Sequence, residues 1–538
     1  MIIAYKELRR LEMELLKRWQ ELELGRTGQV FQAFSVMKIS QFYGIELDDF
    51  AHEVAILSLW LAEHQMNMEF QTEFGKSLPL LPLKNPGHIF SGNATRVEWS
   101  EVCPISENDE VYLLGNPPYL GARNQSEEQK TDMRIVFEGH EHYKDADYVS
   151  CWLILASRFI GNKKAAFAFV TTNSIAQGEQ VSYVWSRIFS ENQEIFFAYQ
   201  SFKWRNNAKQ NAGVTCVIVG VRNVSFGKKF IFNEQAMLKQ EAKNIGPYLT
   251  HGENIFVSRS KHVISWLPKM IIGNMARDGG SLILTEEEKN HITRDHPESS
   301  VLFRKLYGTQ EWIKGSPRYA LWIKDSQLEL ANKIAPIRAR INKVYDFRIA
   351  SKAKTTNQYA KIPHKFAQRF DKESNSIIVP STTSERRKYI PIGFMGPDVV
   401  ITNSANAIFE ANLYVFGVIS SYLHILWVKS IGGQLETRIR YSPEICYNTF
   451  PIPKLSKNQI SEIEFAASEV ISARESRPDL NIEALYDPDS MPDMLREAHL
   501  QLDLVVEKAV LGKLVSEDNK KLELLLDMYT QMTGGQYA

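Results

Sequence analysis

The stretch that most constrains this chain runs from Val111 to Gly121. Val111-Tyr112-Leu113-Leu114 is a compact apolar run of the kind that makes a buried strand. Gly115 ends it, and Pro117 and Pro118, placed just after Asn116, forbid both a helix and a ladder partner. The chain must therefore leave a strand through a rigid turn, and strand C-termini are where open α/β sheets place their ligands. The turn carries an amide (Asn116), proline carbonyls with no competing N–H, and an aromatic ring (Tyr119). An exocyclic amino group on a base needs that set: acceptors for its two N–H bonds and a ring to stack on. By itself the tetrapeptide reads first as a proline-stiffened loop with a surface tyrosine. The rest of the chain has to decide.

Ahead of the turn, residues 4 to 24 space their apolar side chains as an amphipathic helix. Phe42 to Leu47 reads as a strand ending in an acid, followed by a helix from about Asp49 to Met68 with Asp48 or Asp49 as its cap. Such an acid at a second strand tip is the usual partner of a ribose diol, which makes Glu46 a candidate. Elsewhere it would be a solvated glutamate. Ile89 to Trp99 reads as a short strand, a turn and a tryptophan, with Asn93 in the turn. Beyond the central turn, a helix is expected from about Asp147 to Ile160 and a buried strand from Lys164 to Val170. A helix then opens at Gln177 to Gln180, with further strands at 195–199 and 214–220. Between those two lies a polar and aromatic loop, Ser201 to Gly213, composed like one that meets a base or a backbone. Strands alternating with helices describe an α/β sheet. From about 240 the alternation stops. Short strands, glycine turns and arginine clusters follow, with one basic helix at about Ser326 to Val344, and helices return at 457–475, 491–511 and 517–530.

With 538 residues, two to four domains are expected. The net charge is zero, but it hides an asymmetry. Lys314 to Arg440 holds 20 basic against 9 acidic residues, a net of +11, while Leu455 to Ala538 holds 8 against 16, a net of −8. A basic middle suits a polyanion and an acidic tail suits a solvated helical segment. No apolar run approaches a membrane span, and the N-terminus lacks a signal-peptide pattern. Cys103, Cys151, Cys216 and Cys446 are scattered, with no CxxC or histidine pairing, and read as reduced thiols of a cytoplasmic protein, with no metal site.

FYGIELDDFAHEVAILSLWLAEHQMN, GNATRVEW, GNPPYLG, DADYVSCW, AFVTTNSIAQGEQ, SPRYALWI, VPSTTSERRKYIPIGF, RIRYSPEICYNTFPIP and LYDPDSMP together resemble the MmeI-type family of restriction–modification enzymes and their methyltransferase relatives. The resemblance covers nearly the whole chain. It implies a class I S-adenosylmethionine-dependent methyltransferase sheet in gamma-type motif order, here over 1–235, then an α+β target-recognition domain over 236–455 and a helical tail over 456–538. It also implies N6-adenine methylation of double-stranded DNA. Asn116 and the Pro117 carbonyl would accept the amino N–H bonds, Pro118 would stiffen the turn, and Tyr119 would stack on a flipped adenine, with Phe202 or Trp204 on its other face. Glu46, Asn93 and Asn116 would line the cofactor. Arg318, Arg386, Arg387, Arg438 and Arg440 would meet DNA, some of them at phosphates.

Several readings compete within and beyond that family. A PD-(D/E)xK nuclease lies far upstream in full-length relatives, and residue 1 already falls inside the methyltransferase pattern. The family's glycine-rich first turn, DPACGSGNF, has no counterpart here. The expectation is therefore an N-terminally truncated or split product, with a possible upstream partner chain, weak cofactor binding alone and an exposed apolar sheet face. A non-catalytic DNA-binding specificity subunit is the alternative. Methylation of RNA or of protein glutamine is a further reading, which the long basic segment argues against.

Overall fold

The computed structural model describes residues 1–538 apart from 29–31, 76–86, 107–108, 139–140, 204–214, 234–237, 371, 436–437 and 535–538. The first helix, α1, runs Ile2–Thr27 and buries Tyr5, Arg9 and Met13. Strand β1 is Tyr43–Glu46 and helix α2 is Asp49–Phe74. The Asp48 carboxylate caps α2 by accepting from the Ala51 N–H at 2.8 Å. Leu59, Ala62, Met66 and Phe70 fall on one face of α2 at helical spacing and join Tyr5, Met13 and Ile39 in one cluster. Phe50, Val54, Leu57 and Leu61 recur along another face of α2 and are exposed.

Strand β2, His88–Ser91, pairs in parallel with β1, setting Glu46 opposite Ser91. The one-turn helix α3 is Trp99–Val102. Strand β3, Val111–Gly115, pairs in parallel with β4, Ala165–Thr172, so that Gly115 lies opposite Phe169. Between them run α4, Glu127–Val136, and α5, Ser150–Ile160. Helix α6, Gln180–Ser190, leads to β5 (Gln193–Lys203), β6 (Thr215–Asn223), β7 (Lys229–Asn233) and β8 (Leu238–Ala242). The sheet order is β3-β4-β6-β5-β7-β8, with β3 at one edge, and among the described residues β1 and β2 form a separate pair. Strand β4 alternates buried and half-buried positions, whereas Tyr112 and Leu114 of β3 share one face and are each 66 % exposed. That is unusual for a parallel pair, whose faces are normally both covered.

The chain separates into two compact units. One holds residues 1–171, 187–197 and 218–227, and the other holds 172–186, 198–217 and 228–538. Within the second, two four-stranded sheets appear. One has the order Ile283–Leu284, Arg318–Leu321, Phe303–Tyr307, Val399–Ile401, and the other Gly393–Met395, Ser376–Pro380, Ala405–Phe409, Met270–Ile272. A core of Leu282, Leu302, Leu306, Leu321, Ile337, Val344 and neighbours fills the first. The basic helix expected at Ser326 to Val344 is broken in two, Leu328–Lys333 and Ala335–Ile349. Ile334 is extended (φ −86°, ψ 104°) because it precedes Ala335 and Pro336, and the proline suits only a helix's first turn. Arg348, fully buried in the second piece, donates to the carbonyls of Ala276, Arg277, Tyr359, Ile362 and Lys365 at 2.7–2.9 Å. It thereby ties a helix end to two loops.

Helices Lys457–Glu475, Asp493–Leu511 and Asp518–Thr533 make the last part helical, as its composition suggests. Gly417, in helix Leu413–Ser420, permits a close crossing: a Cβ there would lie 2.7 Å from Ile463 and 3.1 Å from Ala467. Among the described residues no single helix is long and apolar enough to cross a membrane. Cys151, Cys216 and Cys446 are buried and Cys103 half-buried, all as free thiols.

Candidate active site

The turn after β3 begins where Gly115 meets the Phe169 ring, which a Cβ would approach to 3.2 Å. Asn116 and Pro118 are exposed, Pro117 is buried and Tyr119 is half-buried. With two prolines in it, the turn has few N–H groups of its own for a ladder, and side chains from elsewhere hold it. The Asp147 carboxylate accepts from Leu120 N–H at 2.9 Å and from Val149 N–H at 3.2 Å. In return the Leu120 carbonyl accepts from the Tyr148 N–H at 3.0 Å and from the Gln125 amide at 3.0 Å, which also donates to Ala146. Asp147, Gln125 and Tyr148 are all buried. The turn is clamped from both sides.

A second polar group lies at the ends of β1 and β2. Glu46 Oε1 accepts from the N–H of Leu47 (2.9 Å) and of Asp48 (3.2 Å), which fixes the direction of its carboxylate. Ser91 donates to Asp49 at 2.9 Å, and a His52 ring nitrogen lies 3.0 Å from the Ile89 carbonyl. Asn93 Oδ1 accepts from Thr95 N–H (2.9 Å) and Thr95 hydroxyl (2.7 Å), while its amide donates to Asp132 at 3.3 Å. Both ends of the Asn93 side chain are thus already engaged within the fold. Asp132 on α4 is only 2 % exposed and also accepts from Arg96 Nε (2.7 Å) and the Tyr148 hydroxyl (2.8 Å). Burial alone would raise its carboxyl, but the three donors outweigh that and hold it below the usual carboxylate range. Burial and the neighbouring Asp132 push the Tyr148 phenol well up.

Glu46, Asn93, Asn116 and Tyr119 all belong to the first unit, together with Asp132 and Asp147. Phe202 is half-buried on β5 in the second unit, and Trp204 lies outside the described residues, as does most of its loop. The arginines also fall in the second unit and differ in their surroundings. Arg318 pairs with Glu311 at 2.9 Å and Arg386 pairs with Asp489. Arg387 is half-buried, its Nη1 3.5 Å from the Thr383 hydroxyl, and burial lowers its guanidinium from the ordinary value. Arg438 and Arg440 flank buried Ile439 on a three-residue strand, so both exposed side chains share one face.

Residues 1–233 match the family described as MmeI, DNA-methyltransferase domain; 251–454 match MmeI, target recognition domain; and 455–536 match MmeI, C-terminal domain. A solved structure of the Type IIL restriction-modification enzyme MmeI in complex with DNA superposes with a TM-score of 0.85 at 36% identity, covering 99% of this chain and 71% of that one. The chain belongs to the MmeI family. DNA methyltransferase A of Bacillus subtilis (strain 168) is 44% identical over 535 residues. Those residues are 99% of this chain and 60% of that relative, so the chain spans about three fifths of the curated protein it matches. Within the MmeI family fold, a methyltransferase domain precedes a recognition domain and a helical C-terminal part, the order the sequence motifs imply. Asp132, Asp147 and Gln125 carry no family-independent signal in the sequence. Asp147 reads there only as the start of a helix, and its loop contact depends on chain 27 residues away.

Proposed function

We propose that this chain is the modification part of a restriction–modification system and methylates adenine N6 in double-stranded DNA, with S-adenosylmethionine as donor. The observation that supports this most directly is the Asn-Pro-Pro-Tyr turn at the end of parallel strand β3, with Leu120 held on both its N–H and its carbonyl. The adenine amino group is a poor nucleophile because its lone pair is delocalised into the ring. Asn116 Oδ1 and the Pro117 carbonyl accept its two N–H bonds, drawing the nitrogen toward sp³ and freeing the pair. Tyr119 stacks on the base, which must leave the duplex to arrive there.

Glu46 suits the ribose of the donor. It is an acid at a strand's C-terminal end, with Oε1 fixed by two backbone N–H groups and Oε2 available to a hydroxyl. Asn93 borders the adenine side, reached through the amide that now meets Asp132. When bound, the donor supplies a methyl group on a sulfonium, a good leaving group that needs neither metal nor covalent enzyme intermediate. The chain's own contribution is positioning and electrostatics. Arg318, Arg386, Arg387, Arg438 and Arg440 meet DNA, some of them at phosphates, and the domains divide as 1–235, 236–455 and 456–538.

Incubation with labelled donor and duplex DNA, followed by nucleoside analysis, tests the reading. N6-methyladenine is expected, and label on another base would refute it. Asn116→Ala should abolish transfer with DNA affinity nearly unchanged. Retention of a tenth of the activity, a loss of only about 1.4 kcal/mol of barrier stabilisation, would contradict the role given to Asn116.

A further inference from the structure

We infer that Asp132 and Tyr148 are positioning residues that couple the Asn93 turn to the Asn-Pro-Pro-Tyr turn, so that occupation of the donor site sets the conformation of the loop that receives the target base. The inference rests on the function proposed above and adds a regulation of that same site.

Three hydrogen bonds through two residues join the two turns. Asn93 donates to Asp132 Oδ2, and the Tyr148 hydroxyl donates to the same oxygen, at 3.3 and 2.8 Å. The backbone N–H of that tyrosine donates to the carbonyl of Leu120, the residue directly after Tyr119. Any shift of Asn93 toward a ligand therefore changes what Asp132 Oδ2 offers to Tyr148, and Tyr148 carries that change to the loop through its own backbone. Arg96 supplies the compensating charge at Asp132 Oδ1 and is half-exposed. The groups facing Asp132 are thus Arg96, Asn93 and Tyr148, with Cys151 close by on α5.

The helix that bears Asp132 does not need it. Ser126 and Gln129 cap the start of α4 reciprocally, and Met133 and Val136 anchor the helix in the interior. A buried carboxylate is costly unless fully satisfied, and one whose three donors are two side chains of the Asn93 turn and a tyrosine bonded to Leu120 suits communication better than packing. Neutral Asn in its place offers one carbonyl and competing N–H donors, so it cannot serve all three partners.

The test compares the full chain with Tyr148→Phe and Asp132→Asn, each checked for an unchanged far-UV spectrum. Tyr148→Phe deletes only the hydroxyl link and leaves the backbone bond to Leu120. Its kcat should fall at least tenfold while its KM for S-adenosylmethionine stays within about twofold. Asp132→Asn should change both. An unaltered kcat in Tyr148→Phe, or a fall matched by an equal rise in KM, would overturn the coupling. If the methylated base proves not to be adenine, the proposed function fails, yet this split remains readable. A second readout is independent of turnover: amide hydrogen exchange over residues 116–124 with and without S-adenosylhomocysteine at a concentration that calorimetry shows to be saturating. The ligand should slow exchange there at least fivefold in the wild type and much less in Tyr148→Phe. Equal protection in both, or none in the wild type, would refute the inference.

Discussion

His424 provides a sharp test of how the last stretch of the recognition domain is held together. Its ring is completely buried, with one nitrogen 2.7 Å from the Tyr441 hydroxyl and its centroid 4.5 Å from that of Phe450 in a T-shaped contact. Burial pushes its pKa down to about 3. In the unfolded chain an imidazole titrates near 6.5, so below that pH the unfolded state binds a proton that the native state refuses. The contribution of His424 is therefore fully present above about pH 6.5 and is lost as pH falls toward 3. At pH 4 the two values give a loss of about 3 kcal/mol relative to pH 7. His499, also buried and lowered, acts in the same direction. Asp503, raised to about 6 by burial beside Tyr389, acts oppositely, gaining stability as pH falls through 6 toward 4. Both are common to the wild type and a His424→Gln variant, so the difference between the two isolates His424. Denaturant unfolding at pH 7, 6, 5 and 4 should show the variant less stable at pH 7, with the gap moving about 3 kcal/mol in its favour by pH 4. A gap constant to within about 1 kcal/mol would refute the assignment of a neutral, buried imidazole.

Other perturbations test separate links. Replacing Arg438 and Arg440 together by Gln should lower the slope of log affinity for DNA against log salt by about 1 to 2, at roughly 0.9 per phosphate contact. Gly417→Val puts atoms 2.7 Å from Ile463 and should cost about 1–3 kcal/mol, read as a lowered denaturation midpoint. Replacing exposed Leu57 and Leu61 of α2 by Lys should leave stability within about 0.5 kcal/mol, and should reduce binding of a hydrophobic dye if that face is accessible in solution as its exposure implies.

The alternating part of the chain was legible because each strand and helix announces itself locally. Expected and observed ends for β1, β4 and the last three helices differ by at most about three residues, close to what frayed ends produce, whereas α2 continues past its expected end at Met68 to Phe74. The one expected basic helix is instead broken at Ile334, because Pro336 suits only a helix's first turn, a signal that the sequence itself carries. In the recognition part, Arg386 and Arg387 are adjacent yet end in different environments, one paired at the surface and one half-buried. Charge density along the chain cannot distinguish them, since only tertiary packing decides which guanidinium is desolvated. The clamp on Leu120 was illegible for the same reason: Asp147 is 27 residues beyond its partner, and nothing local marks it as more than a helix start.

Yet the clamp follows from the prolines once the topology is known. A turn that must present an amide and a carbonyl to a ligand cannot also use them for its own support. Pro117 and Pro118 remove two N–H groups, leaving two carbonyls without local competitors but also leaving the loop without the backbone bonds that would fix it. Rigidity then has to be imported after the functional residues, at the next free backbone groups, and Leu120 offers both. A carboxylate meets its N–H while a backbone N–H and a side-chain amide meet its carbonyl, all from buried positions. Asp147→Ala should consequently affect the turn far more than its local role at the start of α5 implies. The Leu120 N–H would lose its acceptor, and because Leu120 is half-buried the cost lies at or below the roughly 1–3 kcal/mol of a fully buried unpaired donor. Faster amide exchange at 116–121, with exchange in the rest of α5 unchanged, is the expected signature. Uniform loosening of α5 with a protected turn would instead make Asp147 a simple helix cap.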